Sequence, residues 1–519
     1  MSIEVLEKRS SPTLLIRFLF AAVALGVIYL LCMRLYLAAT LPFWLDETWS
    51  GMIASQPDWT NFWREAWLDC NPPLYYIFLF GWSALFGESN LALRLPAYLL
   101  MVMAALLPLA WRPAGLTKFG AGLFAVLLLL WQPALLVMID ARGYGLLIAL
   151  ATASCLVFVK LLENPTRTRS AAWVALGTLM FLTHYYSGVL AIGQALVLTF
   201  RHRTAILRLW PTALIALPGI AWFVFHLPRL ADYARKDVIW YPPTTPLRAL
   251  GHLEFIVAGS NLIPLVAVVV VLGLMVRQNR RRSLAETVPA RSADRDLSLS
   301  VLASAVGFAL AIAIGLFQES LTHRYFIPLV PAALLGLALA VQRCNAPVLT
   351  GLMLAFTFLV PSLNPTAVNK VAYERGFYGY QPGSDFIARH KPDQLLFFWD
   401  HPAGKILDGQ SLERIGSYFL ARDGLQVSTK AFVIGERENP NPILAAAATG
   451  NRPAIIWLYD TMHKSSANYY PPGFDKDPAW TCQHRRLAMK RGKTAGGKKK
   501  PDGHLGAIAC VKLQEKASD

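Results

Sequence analysis

Residues 17–32 read RFLFAAVALGVIYLLC, and this apolar run is followed at 41–49 by the aromatic and acidic segment LPFWLDETW. A short polar stretch with Lys8 and Arg9 precedes the run, but no small-residue cleavage site follows it. We therefore interpret the run as an uncleaved first transmembrane helix.

The composition indicates that this helix is one of many. Of the 519 residues, 55% are hydrophobic and only 16% are charged, with a mean hydropathy of +0.41, outside the usual range of soluble proteins. Lys and Arg exceed Asp and Glu by 49 − 32 = 17. In a polytopic membrane protein such an excess marks cytoplasmic loops, so no nucleic-acid partner is expected.

The other apolar stretches bring the expected number of transmembrane helices to about eleven. Runs long enough to cross the roughly 30 Å hydrocarbon core lie near 91–111, 119–138, 144–161, 172–186, 187–200, 211–228, 253–276, 298–317, 325–342 and 347–362. Leu74–Phe86 is shorter and rich in Tyr and Trp, as an interfacial segment would be. If it does not cross, Thr40 to about Asn90 forms one long first outer loop.

Loop charges support this topology, because they then collect on one face in the positive-inside pattern. The clusters on that face are Lys8 and Arg9, Arg112 and Lys118, Lys160, Arg167 and Arg169, Arg201, Arg203 and Arg208, Arg277 to Arg295, and Arg343.

The chain becomes polar after Pro361, which predicts a second domain. Short apolar runs such as Leu395–Trp399 and Ile455–Tyr459 alternate there with helix-compatible segments, as in a small α/β domain. We therefore divide the chain into a transmembrane domain, 1–362, and an α/β domain, 363–519. An odd number of spans that starts in the cytoplasm ends outside it, so the second domain is expected to be extracytoplasmic, and periplasmic in a Gram-negative cell.

The first loop holds the strongest candidates for chemistry. Asp46 and Glu47 follow the first span and precede the helix-like run from Thr48 to Ala54. Carboxylates at a helix start are also favoured by the helix dipole alone. Six of the fifteen tryptophans lie between Trp44 and Trp82, where they suit either the membrane interface or stacking on sugar rings.

Other outer turns bring further polar residues to the same membrane face. One carries Asp140–Ala–Arg–Gly–Tyr144, where a charge pair at the span ends is costly to desolvate unless it is partnered. Two more carry Thr183–His–Tyr–Tyr186 and Thr322–His–Arg–Tyr325. A structural ion pair or a hydrogen-bonded histidine is the alternative interpretation for each.

Only two of the six cysteines, Cys482 and Cys510, fall in polar sequence. Because disulfides persist outside the cytoplasm, we predict a bond between them, with two unpaired thiols as the alternative. No CxxC pair or Cys/His spacing suited to zinc occurs.

A series of motifs in order resembles the GT-C superfamily of glycosyltransferases, and within it the protein mannosyltransferase and aminoarabinose transferase branch. The outer Asp-Glu pair is followed by Asn71–Pro–Pro–Leu–Tyr–Tyr76 and by Leu85–Phe–Gly–Glu–Ser89, which leads to Ala92–Leu–Arg–Leu–Pro96. Asp140–Ala–Arg–Gly–Tyr144 is similar to that branch's Glu-Ala-Arg-x-Tyr motif, and Arg324–Tyr–Phe–Ile–Pro328 to its Arg-Tyr-x-x-Pro element. The likeness covers about residues 13–345. In two departures from the pattern, Asn71 stands where many members have His, and Asp140 stands in place of Glu.

The resemblance implies a GT-C fold and roles for individual residues. The base in the first loop would be Asp46 or Glu47, and the donor-phosphate contacts would be Arg142 or Arg324. A metal role at the position of Asn71 is not supported, and metal dependence in general, including a divalent cation, is left open.

The location of the active face independently favours a lipid-linked donor. Nucleotide-sugars are made inside the cell and their charge keeps them from crossing hydrocarbon unaided, whereas a polyprenyl-phosphate sugar can place its tail between spans. Transfer needs a base for an acceptor hydroxyl and cations for the leaving phosphate. Asp46 suits the first role and Arg142 or Arg324 the second, with Glu47 or Asp140 orienting the acceptor or a metal. The predicted substrate contacts are Trp44, Tyr75, His184 and Tyr185.

We therefore expect a membrane glycosyltransferase that moves a sugar to an acceptor hydroxyl on a protein, lipid or glycan, with inversion after one displacement. The main alternative is a transporter or flippase, which paired half-repeats and broken spans with internal charges would favour. A second alternative is an oligosaccharide ligase or polymerase, which a large late outer loop would favour.

Overall fold

The structure is a computed structural model that describes residues 4–234, 243–285, 292–318, 320–378, 380–400, 408–433, 448–460, 477–489 and 503–513. The basic cluster Arg277 to Arg295 lies only partly within these residues.

The described chain is mostly helical, with a sheet near its carboxyl end. The α-helices are α1 Glu4–Thr40, α2 Leu45–Ala54, α3 Trp59–Leu68, α4 Leu74–Phe86, α5 Asn90–Ala110, α6 Lys118–Leu130, α7 Ala134–Ile139, α8 Tyr144–Glu163, α9 Arg167–Phe181, α10 Gly188–His202, α11 Leu217–Ala234, α12 Pro246–Ala258, α13 Leu262–Ala285, α14 Ser292–Phe317, α15 Val330–Gln342, α16 Pro347–Ser362, α17 Pro365–Tyr378, α18 Gln381–Ala388 and α19 Gly409–Arg422. Segments of 3₁₀-helix cover Tyr185–Ser187, Arg203–Ala216 and His323–Leu329.

The predicted polytopic helical fold is confirmed, with fewer full-length spans than the eleven expected. Among the described residues, six helices are long and apolar enough to cross a membrane, or eight if each of two bent helix pairs is one span. The six are Thr13–Thr40, Asn90–Ala110, Tyr144–Glu163, Ile206–Tyr233, Arg295–Phe317 and His323–Gln342. The count is lower because the run near 119–138 is broken into two helices, and the runs near 172–186 and 187–200 form helices of only 15 residues each.

At the break between α6 and α7, side chains from other helices bind main-chain carbonyls that have no helical donor. Pro133 has no N–H, so the carbonyl of Leu129, four residues earlier, lacks its helical donor. Arg34 of α1 donates to that carbonyl at 2.8 Å, and Ser362 of α16 donates to the carbonyl of Leu130 at 2.6 Å. The buried Arg34 therefore has a structural partner at the break.

The polar C-terminal part forms the predicted α/β domain. Its strands are β1 Gln394–Asp400, β2 Ser428–Val433, β3 Pro453–Asp460, β4 Trp480–Met489 and β5 Gly503–Lys512, in the sheet order β2-β1-β3-β5-β4. The first three strands are parallel and the last two antiparallel to their neighbours. Helix α19 follows β1 and packs against β2 and β1.

The predicted disulfide between Cys482 and Cys510 is confirmed. These residues are directly paired across β4 and β5, and their sulfur atoms are bonded. The bond therefore joins the two antiparallel strands at one edge of the sheet.

The C-terminal domain and the segment between α1 and α5 share one hydrophobic core. Phe43 lies edge-on to Phe419 of α19, with ring centroids 6.2 Å apart, and Trp49 lies edge-on to Trp399 of β1 at the same distance. The sheet domain is thus packed directly on α2, the helix that carries the acidic pair.

Candidate active site

Helix α2 begins at the acidic pair and separates its two side chains. Trp44 is in an extended conformation before the first turn, and its N–H donates to Oε2 of Glu47 at 3.2 Å. Glu47 is completely buried, whereas the side chain of Asp46 is 30% exposed. Successive residues of a helix point about 100° apart, so one carboxylate enters the protein and the other stays partly exposed.

The buried carboxylate of Glu47 is held from several sides. Arg94 of α5 binds both of its oxygens, at 2.7 and 2.8 Å, and the N–H of Ala141 donates to Oε1 at 2.8 Å. Arg375 of α17 donates to Oε2 at 2.5 Å and also binds Asp140. Burial alone would raise the pKa of Glu47, but Arg94 and Arg375 outweigh it and hold that pKa below its ordinary value.

Asp140 completes this buried network, which we call the carboxylate–arginine cluster: Glu47, Arg94, Asp140 and Arg375. Burial raises the pKa of Asp140 to about 6; Arg375 opposes this rise and the nearby charge of Glu47 adds to it. The structure therefore brings together two of the predicted catalytic carboxylates, but it places both against guanidinium groups.

The side chain of Asp46 lies outside this cluster and contacts Arg324 of the Arg-Tyr-x-x-Pro motif. Its Oδ2 lies 2.9 Å from Nη1 of Arg324, and the guanidinium carbon of Arg324 lies 5.7 Å from the ring centroid of Trp44. Both members of the ion pair are about one-third exposed. Arg324 therefore contacts Trp44 and Asp46, two predicted site residues of the first loop, although it lies 278 residues after Asp46.

Arg142 lies behind the main chain of Asp46. It is 8% exposed, and its Nη1 donates to the carbonyl of Asp46 at 3.2 Å, to Ser50 at 3.4 Å and to the hydroxyl of Tyr76 at 3.3 Å. Tyr76 in turn donates to Asp69. None of the ion pairs within the described ranges involves Arg142, and its direct hydrogen-bond acceptors there are neutral. The charges of Asp46 and Asp69 also act on its guanidinium.

A small pocket opens beside this guanidinium. Its lining includes Asn71, Tyr75, Arg142, Tyr144, Thr183 and His184. The hydroxyl of Tyr75 is buried and has no hydrogen-bond partner in the described part of the chain. A pocket with a buried cation and an unsatisfied hydroxyl is suited to an anion.

His184 adds a neutral donor to the pocket. Burial, with the charges of Arg142 and Arg324, lowers the pKa of His184 to about 3, so the ring is uncharged at physiological pH. Its Nδ1 accepts from the N–H of Tyr186 at 3.3 Å, which places the ring proton on Nε2. The predicted substrate contacts Tyr75 and His184 therefore lie together beside Arg142.

Tyr185, the other predicted contact in that turn, lies apart from them. Its hydroxyl is 2.6 Å from Nδ1 of His226 and accepts from Nε1 of Trp222 at 3.0 Å. Its ring packs on Phe181 and Phe223. Tyr185 thus belongs to an aromatic cluster and is not among the residues that line the pocket.

Sequence reasoning missed two members of the carboxylate–arginine cluster. Arg94 lies inside a motif quoted above, and a lone arginine at the start of an apolar helix is a signal that could have identified it. Arg375 lies beyond the stretch that resembles the family, and no local pattern marks it.

The described residues do not form a cluster of metal-binding side chains. Within the described ranges, no group of three or more His, Cys, Asp or Glu side chains is placed to hold a metal ion. Glu47 and Asp140, the carboxylates predicted to orient an acceptor or a metal, are instead bound to arginines.

No protein-family model and no curated protein matches the sequence. Solved structures with a similar fold include two of one protein. ArnT from Cupriavidus metallidurans bound to undecaprenyl phosphate has a TM-score of 0.51 at 13% identity, over 84% of this chain and 93% of that one. The apo form of the same protein has a TM-score of 0.49 at 12% identity, over 84% and 92%. The fold expected from the GT-C resemblance is thus confirmed, and the chain is a multi-pass membrane protein.

Proposed function

We propose that this protein is a membrane glycosyltransferase that moves a sugar from a polyprenyl-phosphate donor to an acceptor hydroxyl on the outer face of the membrane. One observation carries the proposal: the buried Arg142, whose direct hydrogen-bond acceptors among the described residues are all neutral, lies directly behind the more exposed Asp46. The shared fold with ArnT, which has been solved with undecaprenyl phosphate bound, supports a lipid-phosphate donor.

The pocket beside Arg142 receives the donor phosphate in this mechanism. The guanidinium supplies the charge, while the hydroxyl of Tyr75 and Nε2–H of His184 supply neutral hydrogen bonds. Because these donors are held in a water-poor site, they stabilise the negative charge that develops on the leaving phosphate. The polyprenyl tail would lie between membrane spans, with the sugar towards Asp46 and Trp44.

Asp46 then acts as the general base. It takes the proton of the acceptor hydroxyl, whose oxygen forms a bond to the anomeric carbon as the bond from that carbon to the phosphate oxygen breaks. The phosphate leaves as an anion and needs no acid. A single displacement inverts the anomeric centre.

Arg324 links the two substrates in this scheme. In the structure it is bound to the carboxylate of Asp46, and a carboxylate in an ion pair is a poorer proton acceptor. A donor phosphate is a stronger attraction for the same guanidinium, so donor binding would draw Arg324 from Asp46 and leave the base ready for the acceptor.

The acceptor is a protein, lipid or glycan hydroxyl that reaches the outer face. A flippase would instead move its substrate without forming a product, and the transfer assay separates the two functions.

The test is transfer by the purified full-length protein in nanodiscs, with polyprenyl-phosphate sugars and envelope lipids, glycans or glycoprotein precursors as acceptors. Asp46→Asn should lower turnover by about 10² to 10⁴ while donor binding persists. Asp58→Asn is the matched control, because Asp58 is an exposed N-cap of α3 in the same loop and Asn caps equally well. Lipid translocation by the wild type without product would overturn the proposal.

A further inference from the structure

We infer that Arg375 of α17 is a positioning residue for the catalytic base: it clamps Glu47 to Asp140 and thereby sets the direction of Asp46. This inference rests on the proposed function for the role of Asp46, but the clamp itself is a property of the fold. Arg375 is 4% exposed and contacts one carboxylate with each terminal nitrogen.

The charges of the cluster balance only if Arg375 is present. Arg94 is committed to Glu47 and to main-chain carbonyls at Ala38, Leu41 and Pro42. Asp140 has Arg375 as its one ion-pair partner among the described residues. Without Arg375, two buried carboxylates would face a single guanidinium, and one of them would be left uncompensated or protonated.

The position of Glu47 determines that of its neighbour. Glu47 binds the N–H of Trp44 before α2 and the N–H of Ala141 beside Asp140, so it joins the start of α2 to the turn that carries Arg142. A shift of Glu47 would move Asp46, the next residue on the helix, relative to the phosphate pocket. Misplacement of a reacting group by about 1 Å costs on the order of 10²-fold in rate.

Helix α17 also connects this clamp to the sheet domain. It follows α16 directly and packs against β4 and β5, the strands joined by the disulfide. The C-terminal domain therefore has a defined task at the reaction centre, because it holds the helix that supplies Arg375.

Three variants distinguish positioning from a general structural role. Arg375→Gln removes the charge, Arg375→Lys keeps it, and Arg375→Gln with Asp140→Asn removes both members of one ion pair. Lys370→Gln is the matched control, because Lys370 lies on the same helix with its side chain 72% exposed.

In the transfer assay, Arg375→Gln should lower kcat by about 10²-fold with the KM for the donor little changed. Arg375→Lys should recover most of that loss, the double variant should keep the low kcat because the clamp is still absent, and Lys370→Gln should match the wild type. Equal kcat in Arg375→Gln and wild type would overturn the inference, as would a KM effect alone.

A second measurement does not depend on transfer. At pH 7.5 the infrared spectrum of Arg375→Gln should contain the band of a protonated carboxylic acid that is absent from the wild type and from the double variant. If this band appears but the wild type shows no transfer, the clamp stands and the proposed function fails. If transfer occurs and the band does not appear, the clamp is wrong and the proposed function remains.

Discussion

Nη1 of Arg324 lies 2.9 Å from Oδ2 of Asp46, so a predicted phosphate contact and the predicted base are bound to each other. Arg142 donates to the carbonyl of the same Asp46, and the two arginines therefore approach it from different sides. This arrangement places the charge for a leaving phosphate next to the group that would activate an acceptor.

The two neighbouring carboxylates should respond differently to neutralisation. Glu47→Gln breaks a fully buried pair, so it should destabilise the protein by about 3–5 kcal/mol, seen as a lower Tm. Asp46→Asn alters a partly exposed side chain and should leave Tm almost unchanged while turnover is lost. If Glu47→Gln folds normally but is inactive and Asp46→Asn is active, the roles of the two residues must be exchanged.

Arg142 should be required for the donor more than for the acceptor. Arg142→Gln removes the only charge that lines the described pocket, so we expect donor affinity to fall by about 10-fold or more, measured by titration with undecaprenyl phosphate. Arg389→Gln, an exposed arginine of the C-terminal domain, is the control and should bind normally. Unchanged donor affinity in Arg142→Gln would remove the phosphate site from this pocket.

Activity should decline as pH falls through about 6. Burial raises the pKa of Asp140 to about 6, against the opposing charge of Arg375, and Glu47 and Arg94 are the other charged groups near it. Below that pH Asp140 takes a proton and its ion pair with Arg375 weakens. The pH profile of kcat should lose this acidic limb in Asp140→Asn.

His184 should not contribute to the fall in kcat at acidic pH. Its pKa is lowered to about 3 by burial and by two arginines, so it stays neutral throughout the same range. His184→Gln should therefore reduce donor binding without moving the acidic limb. A shift of the limb in this variant would show that the histidine titrates near neutrality.

The contact between α2 and the sheet domain should not tolerate even one added methyl group. A Cβ at Gly51 would lie 2.3 Å from the hydroxyl of Tyr418, whose buried ring would have to move. We expect Gly51→Ala to lower the free energy of unfolding by about 1–3 kcal/mol and to make the C-terminal domain more susceptible to proteolysis. Gly81→Ala in α4 is the control, because no atom lies within 4 Å of its added Cβ.

The disulfide should stabilise the sheet more than the membrane bundle. Replacing Cys482 and Cys510 by Ala opens a bridge over a separation of 28 residues, worth about 3–4 kcal/mol on the chain-entropy model. Proteolysis of the C-terminal domain should become faster while the helical signal of the bundle persists. Equal protease resistance with and without the bond would contradict this.

Local sequence patterns predicted much of the fold. Apolar runs predicted the helices because each run must satisfy its own backbone in hydrocarbon, and the polar C-terminal stretch predicted the α/β domain. The disulfide was also predictable from the sequence, because Cys482 and Cys510 are the only two cysteines in polar sequence. The number of full-length spans was overestimated, because the break at Pro133 and the short lengths of α9 and α10 are determined by packing. Local sequence patterns do not show such packing.

Sequence by itself predicted that Asp46, Glu47, Asp140, Arg142 and Arg324 lie at one membrane face, because each lies near the end of an apolar run. Only the tertiary structure decided which carboxylate is buried, which arginine binds it, and that Arg375 of α17 belongs to the cluster. The physical reason is that ion-pair partners are chosen by packing over long sequence separations, whereas helix ends are chosen by neighbouring residues.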